Sequence, residues 1–285
     1  MNKAEDCTIF FDDKRLTGKN NEPLVDFLSN HGIDLPHVCY HRALGPLQTC
    51  DVCWVEVNGE LQRGCAIKTH DGLTISSNAR RADAARHEGM DRLLGKHELY
   101  CTVCENNTGD CTLHNTVSDM NIPIQRYEFK RKPYEKDQTN PFYTYDPDQC
   151  ILCGRCVEAC QNVEVNETLS IDYNMENPRV LWDGGQTIEG SSCVSCGHCV
   201  TVCPCNALME NTMQPDAGPF TALPQSLKRP MIDIVKKLEN TIGAPPITAI
   251  SNMDMHWRQP EIKRTKTVCT YCGVGCSFEM WTRDR

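Results

Sequence analysis

The cysteine spacing constrains this chain more than any other feature. Cys150-x2-Cys153-x2-Cys156-x3-Cys160 is followed by Cys193-x2-Cys196-x2-Cys199-x3-Cys203-Pro204. Three thiols at two-residue gaps wrap the backbone tightly around three corners of an inorganic cubane. The fourth, at the start of the following helix, reaches the neighbouring cluster. The spacing therefore groups Cys150, Cys153 and Cys156 with Cys203, and Cys193, Cys196 and Cys199 with Cys160, each set holding one [4Fe–4S] cluster. Gly154 and Gly197 stand where the backbone turns closely past the metal. Gln161 is a departure, since proline is common at that position. Zinc sites usually pair two separated Cys-x2-Cys hooks and do not crowd three cysteines into one loop.

Three further groups repeat this economy with different spacings. His97-x3-Cys101-x2-Cys104-x6-Cys111 supplies three thiols and a histidine one helical turn ahead of the first. A lone histidine near a helix end is ordinarily solvated or capping, but the offset of four from Cys101 favours ligation of a further [4Fe–4S] cluster. An imidazole in place of a thiolate makes such a site less negative and raises its potential. His87 and His114 are weaker candidates for the same role. Cys39-x10-Cys50-x2-Cys53-x11-Cys65 departs from the plant-type [2Fe–2S] spacing, whose first gap is four residues. The hairpin between Cys53 and Cys65 and the helix upstream still suit a [2Fe–2S] ferredoxin shell. A structural zinc site, with one Cys-x2-Cys hook and two distant cysteines, stays open here. The last group, Cys269-x2-Cys272-x3-Cys276, offers three ligands, and the chain ends nine residues later at Arg285. Its fourth ligand is expected beyond Arg285, as though the sequence were cut inside a domain.

Of 20 cysteines, 18 enter these groups. Cys7 and Cys205 are left over, and both read as small packed thiols. Metal thiolates are preferred over disulfides because the N-terminus lacks an apolar signal core, which places the protein in the reducing cytoplasm. No window approaches the length of a membrane span. The net charge of −9 gives no electrostatic support for nucleic-acid binding. No Gly-x-Gly-x-x-Gly run marks a nucleotide site.

The chain reads as an α+β, multidomain protein. Residues 1–79 form a [2Fe–2S] ferredoxin-like unit of β-grasp type, with a strand at Thr8–Phe11, a helix from Glu22 to Asn30, and a strand at Trp54–Val57 entering a tight Asn58-Gly59 turn. Residues 80–140 form a small helical unit holding the histidine-ligated cluster. Its helix from Arg81 to Gly95 has Ala84, Ala85, Met90, Leu93 and Leu94 as the buried side, and a connector over 122–141 carries Lys130-Arg131-Lys132 as a solvated run. Residues 141–213 hold the two [4Fe–4S] clusters. A linker over 214–262 contains one helix opened by Pro230, with Met231, Ile234, Val235, Leu238 and Ile242 as its apolar face. Residues 263–285 begin a further, incomplete domain.

The order of these motifs resembles three related groups: the large iron–sulfur subunit of NADH dehydrogenase, the N-terminal part of iron-only hydrogenases, and long molybdenum or tungsten formate dehydrogenases. The paired repeat is similar to bacterial two-cluster ferredoxins. The run Cys269-Thr-Tyr-Cys-Gly-Val-Gly-Cys276 resembles the start of the molybdopterin domain of formate dehydrogenase alpha subunits, where it holds a [4Fe–4S] cluster beside the pterin. The gap between Cys104 and Cys111 is one residue longer than is common in the NADH dehydrogenase subunit. The resemblance implies that the full protein oxidises formate to CO2 at a molybdenum or tungsten bis-pterin guanine dinucleotide centre. Electrons then pass one at a time from the Cys269 site to the ferredoxin-like pair, and on to the histidine-ligated and [2Fe–2S] sites. It also implies an electron-acceptor partner, a diaphorase or quinone-linked subunit. The alternative is an electron-transfer subunit of an NADH dehydrogenase or hydrogenase complex. On either reading this chain carries electrons, with no catalytic residue of its own, and holds one [2Fe–2S] and three [4Fe–4S] clusters, a fourth [4Fe–4S] being completed in the longer protein.

Overall fold

In the computed structural model, the described residues are 6–101, 104, 106, 111–211, 225–243, 262–268 and 277–283. Alternating side chains open the fold. Strand β1 (Asp6–Phe11) places Cys7, Ile9 and Phe11 inward, then turns back into β2 (Lys14–Lys19). Helix α1 (Leu24–Asn30) buries Leu24, Val25, Phe27 and Leu28, and the left-handed Gly32 follows it. Strands β3 (Trp54–Val57) and β4 (Glu60–Arg63) form the hairpin expected at Asn58-Gly59, and both turn residues have positive φ. Strand β5 (Thr74–Ser76) completes a mixed sheet of order β2-β1-β5-β3-β4, parallel between β1 and β5 and antiparallel elsewhere. One core forms here: Phe27, Leu24 and Leu28 meet Ile9, Val55 and Ile75, and Cys53 and Cys65 lie among them.

Helix α2 (Arg80–Leu94) leads into the second unit. It packs against β3 and approaches the Cys50–Cys53 loop so closely that a Cβ on Gly89 would lie 2.1 Å from the Asp51 carbonyl oxygen. Ala84, expected on the buried side, is exposed; Ala82, Arg86, Gly89 and Asp91 are buried with Met90, Leu93 and Leu94. The correction has a polar cause. Arg86 Nη1 donates to the carbonyls of Trp54 and Ser77 at 2.9 Å each, a docking that a hydrophobic count does not register. Helix α3 (Thr112–Asp119) follows, its N-cap sulfur, Cys111 Sγ, accepting from the His114 N–H.

The third unit is a pair of half-copies. Strands β6 (Tyr143–Tyr145) and β9 (Leu208–Glu210) pair across it, and β7 (Leu169–Ile171) pairs with β8 (Val180–Trp182). Two short helices, α4 (Arg155–Glu158) and α5 (His198–Thr201), each begin after a left-handed glycine, Gly154 (φ 83°) and Gly197 (φ 80°), as the cysteine loops require. The stretch before β6 is irregular as expected, but its basic run is not simply solvated. Lys132 Nζ donates to the carbonyls of Cys150 at 2.9 Å and Lys96 at 3.4 Å. Arg131 pairs with Glu98 at 3.3 Å and Asp148 at 3.1 Å. The run is held because buried carbonyls and carboxylates of two units face it.

Helix α6 (Gln225–Ile242) starts five residues before Pro230, which lies inside it at the loss of one backbone hydrogen bond. Its expected apolar face is divided. Met231 and Val235 pack with Ile232 against Tyr100 and Cys104, whereas Ile234, Leu238 and Ile242 are exposed. Lys236 Nζ lies 3.2 Å from the Glu98 carboxylate, beside the same contact that buries Ile232. Beyond it, β10 (Ile262–Val268) and β11 (Ser277–Arg283) form an antiparallel pair. No helix among the described residues is long and apolar enough to cross a membrane.

Gly89 supplies a test of the contact between the first two units. Gly89→Ala drives a methyl into the Asp51 backbone, and the expected cost is about 1–3 kcal/mol, read as a lowered denaturant midpoint. An unchanged midpoint removes this contact as a constraint.

Candidate iron–sulfur sites

The first repeat brings Cys150, Cys153, Cys156 and Cys203 around one small apolar hollow, with Cys205, Tyr145, Ile151 and Leu208 in its wall. Cys160 is absent from that wall, so the structure puts the fourth cysteine of the second copy beside the first loop. All three loop thiols are buried. Burial pushes each of them up: Cys153 to about 12, with the Cys203 sulfur adding repulsion, Cys150 above its ordinary value, and Cys156 well above it. Cys203 is held down to about 7 because the Cys205 thiol donates to it, while the Leu208 N–H points at the same sulfur at 3.5 Å. Three dry thiols that resist deprotonation, set around a fourth that is held low, are stable together as thiolates only when a bound cation offsets their charge. The donor chemistry fits an iron–sulfur cluster.

The second repeat is more open. Cys199 and Cys160 are buried, Cys193 is half-buried and Cys196 is exposed. The Tyr143 hydroxyl lies 2.9 Å from Cys193 Sγ, and the Ser195 N–H donates to the same sulfur at 3.4 Å. Cys199 is pushed up to about 12 by burial and then by the neighbouring Cys196 and Cys193. Cys160 sits in a π-helical turn, Ala159–Val163, packed on α5. Backbone N–H groups aimed at sulfur in both repeats suit thiolates that carry cluster charge.

The Cys39 group closes in two pairs. Cys39 and Cys50 lie within hydrogen-bond reach, as do Cys53 and Cys65. Cys39 is held down to about 5 because the Cys50 thiol donates to it. The Thr49 N–H adds a bond to Cys39 Sγ at 3.3 Å. Exposure is 0% for Cys39, 3% for Cys50, 1% for Cys53 and 2% for Cys65, so the four form a dry set at the end of the first sheet.

His97 is buried at 5% exposure, and Cys101, Cys104 and Cys111 are buried too. Its Nδ1 is 2.9 Å from the Gln149 carbonyl. A carbonyl only accepts, so Nδ1 carries the proton and the Nε2 lone pair is left for a metal. Burial also holds the ring neutral, lowering its pKa to about 4. Cys111 Sγ is 3.7 Å from the Pro204 carbonyl, and the Leu113 N–H donates to that carbonyl at 2.8 Å, tying this group to the second repeat. His114 is buried on α3, and His87 is half-exposed beside Asp83 at 3.8 Å. Cys269, Cys272 and Cys276 lie outside the described residues, although β10 and β11 bracket them. Cys7 is packed, its thiol donating to the Lys19 carbonyl at 3.4 Å, and Cys205 is buried against Cys203.

Sequence reasoning passed over the residues that join these sites. Arg155 is buried and donates from Nε to the Cys39 carbonyl at 3.2 Å, and Thr49 Oγ1 donates to the Cys153 carbonyl at 2.9 Å. Lys132 spans from Lys96 to Cys150. The signal that could have found Arg155 was the difference between Cys153-Gly-Arg-Cys156 and Cys196-Gly-His-Cys199.

Four family models match in the same order as the sites. They are a 2Fe-2S iron-sulfur cluster binding domain over residues 4–80, the NADH-ubiquinone oxidoreductase-G iron-sulfur binding region over 86–126, a 4Fe-4S dicluster domain over 149–207, and the molybdopterin oxidoreductase Fe4S4 domain over 262–285. Iron–sulfur domain models thus match along most of the chain, the last of them the Fe4S4 domain of molybdopterin oxidoreductases. The chain is 52% identical over 278 residues to "Probable oxidoreductase YjgC" of Bacillus subtilis, covering 98% of this chain and 28% of that protein. It is 51% identical over 262 residues to a Staphylococcus haemolyticus protein named "Putative formate dehydrogenase", covering 92% of this chain and 26% of that one. The chain thus spans little more than a quarter of the length of these relatives. A chain in the crystal structure of an NAD+-reducing [NiFe]-hydrogenase is similar over 72% of this chain and 87% of its own length, with a TM-score of 0.63 and 25% identity.

The cysteine groups and His97 can each be tested. Cys203→Ser is expected to alter the [4Fe–4S] signal that Cys150→Ser alters, and to spare the one that Cys193→Ser alters; the opposite pairing in electron paramagnetic resonance rejects the crossed ligand sets. For His97, the unfolded ring takes its proton near 6.5 and the folded ring near 4. The unfolded state binds more protons between those values, so stability falls as pH drops through that window, by roughly 3 kcal/mol at its lower end. A His97→Gln variant is expected to lose that part of the slope in unfolding measured against pH.

Proposed function

We propose that this chain conducts electrons for an enzyme that oxidises formate to CO2, releasing one proton and two electrons per turnover. The observation that carries the reading is the molybdopterin oxidoreductase Fe4S4 match over residues 262–285, which follows three other iron–sulfur domain matches along the chain. Relatives at about half identity bear the formate dehydrogenase name, which supports formate as the substrate. The catalytic centre, a molybdenum or tungsten bis-pterin guanine dinucleotide, belongs to the longer protein.

On this reading one [2Fe–2S] cluster is held by Cys39, Cys50, Cys53 and Cys65. Three [4Fe–4S] clusters are held by His97 with Cys101, Cys104 and Cys111, by Cys150, Cys153, Cys156 and Cys203, and by Cys160, Cys193, Cys196 and Cys199. Cys269, Cys272 and Cys276 hold part of a fourth. Each bound cluster supplies a one-electron carrier. The protein keeps water from most of the thiolates, Cys196 being exposed, aims N–H groups at sulfur, and presents the His97 lone pair through its bond to Gln149.

A partner receives the electrons. The likeness to a chain of an NAD+-reducing hydrogenase supports a nucleotide-reducing partner, such as a diaphorase, over a quinone-linked one, and on this reading the protein works in the cytoplasm. That same likeness is what favours the second reading, a subunit of a hydrogenase or NADH dehydrogenase complex.

The deciding experiment uses the full-length protein purified without oxygen. Formate is expected to bleach the cluster absorbance and to reduce a viologen dye, with molybdenum or tungsten present in stoichiometric amount. Bleaching by hydrogen or NADH but not by formate overturns the formate reading. A colourless protein with stoichiometric zinc and no acid-labile sulfide overturns the electron-carrier reading as well.

A further inference from the structure

The two cysteine repeats differ at one position that sits in the same place in both. Gly154 and Gly197 share the left-handed conformation, so the next residue opens α4 in one copy and α5 in the other. That residue is Arg155 in the first and His198 in the second. Arg155 turns inward and is 5% exposed. Its Nε donates to the Cys39 carbonyl at 3.2 Å, its Nη1 to the Val202 carbonyl at 3.3 Å, and its Nη2 to the Tyr40 carbonyl. None of these partners is a carboxylate, so the bonds satisfy the guanidinium without neutralising it. Its charge is felt by Cys153, Cys39, Cys203 and Cys50.

The second copy does the reverse. His198 turns outward, its Nδ1 3.2 Å from the Glu164 carboxylate, and Cys196 Sγ lies with both within 4.8 Å. An acid stands beside that site where a buried cation stands beside the first. Lys132 deepens the asymmetry. Its ammonium donates to the Cys150 and Pro147 carbonyls, at the opening of the first loop, and to the Lys96 carbonyl next to His97. The nearby Asp148 carboxylate is taken at 3.1 Å by Arg131.

Reduction of a [4Fe–4S] cluster from its 2+ to its 1+ state adds one negative charge to a site that already carries four thiolates. A fixed cation in a dry interior stabilises that added charge far more than one in water does. A carboxylate near the twin site opposes it.

We propose that Arg155 and Lys132 raise the reduction potential of the cluster held by Cys150, Cys153, Cys156 and Cys203 above that of its twin at Cys160, Cys193, Cys196 and Cys199. An electron arriving at the pair then rests on the first site. One cluster returns to 2+ as the other falls to 1+, and the charge waits between the Cys39 and His97 groups, which Arg155 and Lys132 physically join to it. This inference rests on the proposed ligand sets.

The test is a dithionite titration of the full-length, cluster-loaded protein followed by electron paramagnetic resonance, the first site being the signal that Cys150→Ser alters. In the parent, that signal is expected to develop at higher potential than the signal altered by Cys193→Ser. Arg155→Gln is expected to weaken reduction of the first site about tenfold, about 59 mV for a one-electron couple. Arg155→Lys, which keeps the charge, is expected to recover most of it, and His198→Gln to leave the first signal in place. Where Arg155→Gln holds less iron than the parent, Lys132→Gln carries the same expectation. Unchanged first-site potential in an iron-replete Arg155→Gln or Lys132→Gln protein overturns the inference and leaves the ligand sets standing. Absence of any [4Fe–4S] signal in the parent overturns both.

Discussion

Sulfur charge in a dry interior is the constraint on which the rest of this structure depends. Cys150, Cys153 and Cys156 line the first hollow and are buried, and that burial, with repulsion from neighbouring sulfurs added, keeps them from ionising unaided. A thiol-rich core of this kind has no hydrophobic logic of its own, because it brings like charges together once metal binds. The fold answers with polar groups drawn from within the cysteine loops and from the elements packed on them. Backbone N–H groups of Thr49, Ser195 and Leu208 point at sulfur. Tyr143 brings a hydroxyl, and Arg155 and Lys132 bring charge.

This constraint also explains why the units are joined where they are. Carbonyls near cysteine loops are buried acceptors, and buried acceptors need donors. Thr49, Arg155 and Lys132 each answer a carbonyl of a neighbouring unit, so satisfying the backbone also seats one site against the next. The Leu113 N–H bond to the Pro204 carbonyl does the same between the His97 group and the second repeat. Electron transfer needs short gaps between carriers, and the hydrogen-bond accounting of the backbone brings the loops together without any contact dedicated to that end.

Much of the architecture was legible because it depends on local rules. The Asn58-Gly59 hairpin, the left-handed Gly154 and Gly197, and the α1 core of Leu24, Phe27 and Leu28 are consequences of turn chemistry and periodicity. The misreadings share one cause. Ala84 was expected inside and Arg86 was not, the run Lys130-Arg131-Lys132 was expected in solvent, and the face of α6 was expected whole. In each case a long cationic side chain, Arg86, Lys132 or Lys236, found a buried carbonyl or carboxylate far away in sequence. Periodicity counts apolar residues and is blind to that kind of partner.

The sequence alone determined which residues can hold metal, because ligation by closely spaced cysteines is a matter of how far a short loop can reach. The family spacing implies that the fourth cysteine of each repeat serves the other loop, and Cys203 lines one hollow with Cys150, Cys153 and Cys156. Only the tertiary structure decided which nitrogen of His97 carries the proton, since that depends on the Gln149 carbonyl 52 residues away. Only the fold, likewise, could distinguish the two repeats electrostatically. Arg155 and His198 occupy one position in one motif, yet one is enclosed by carbonyls and the other stands in the open beside an acid. The dielectric around a charge is set by what packs over it, and no spacing of residues along the chain records that.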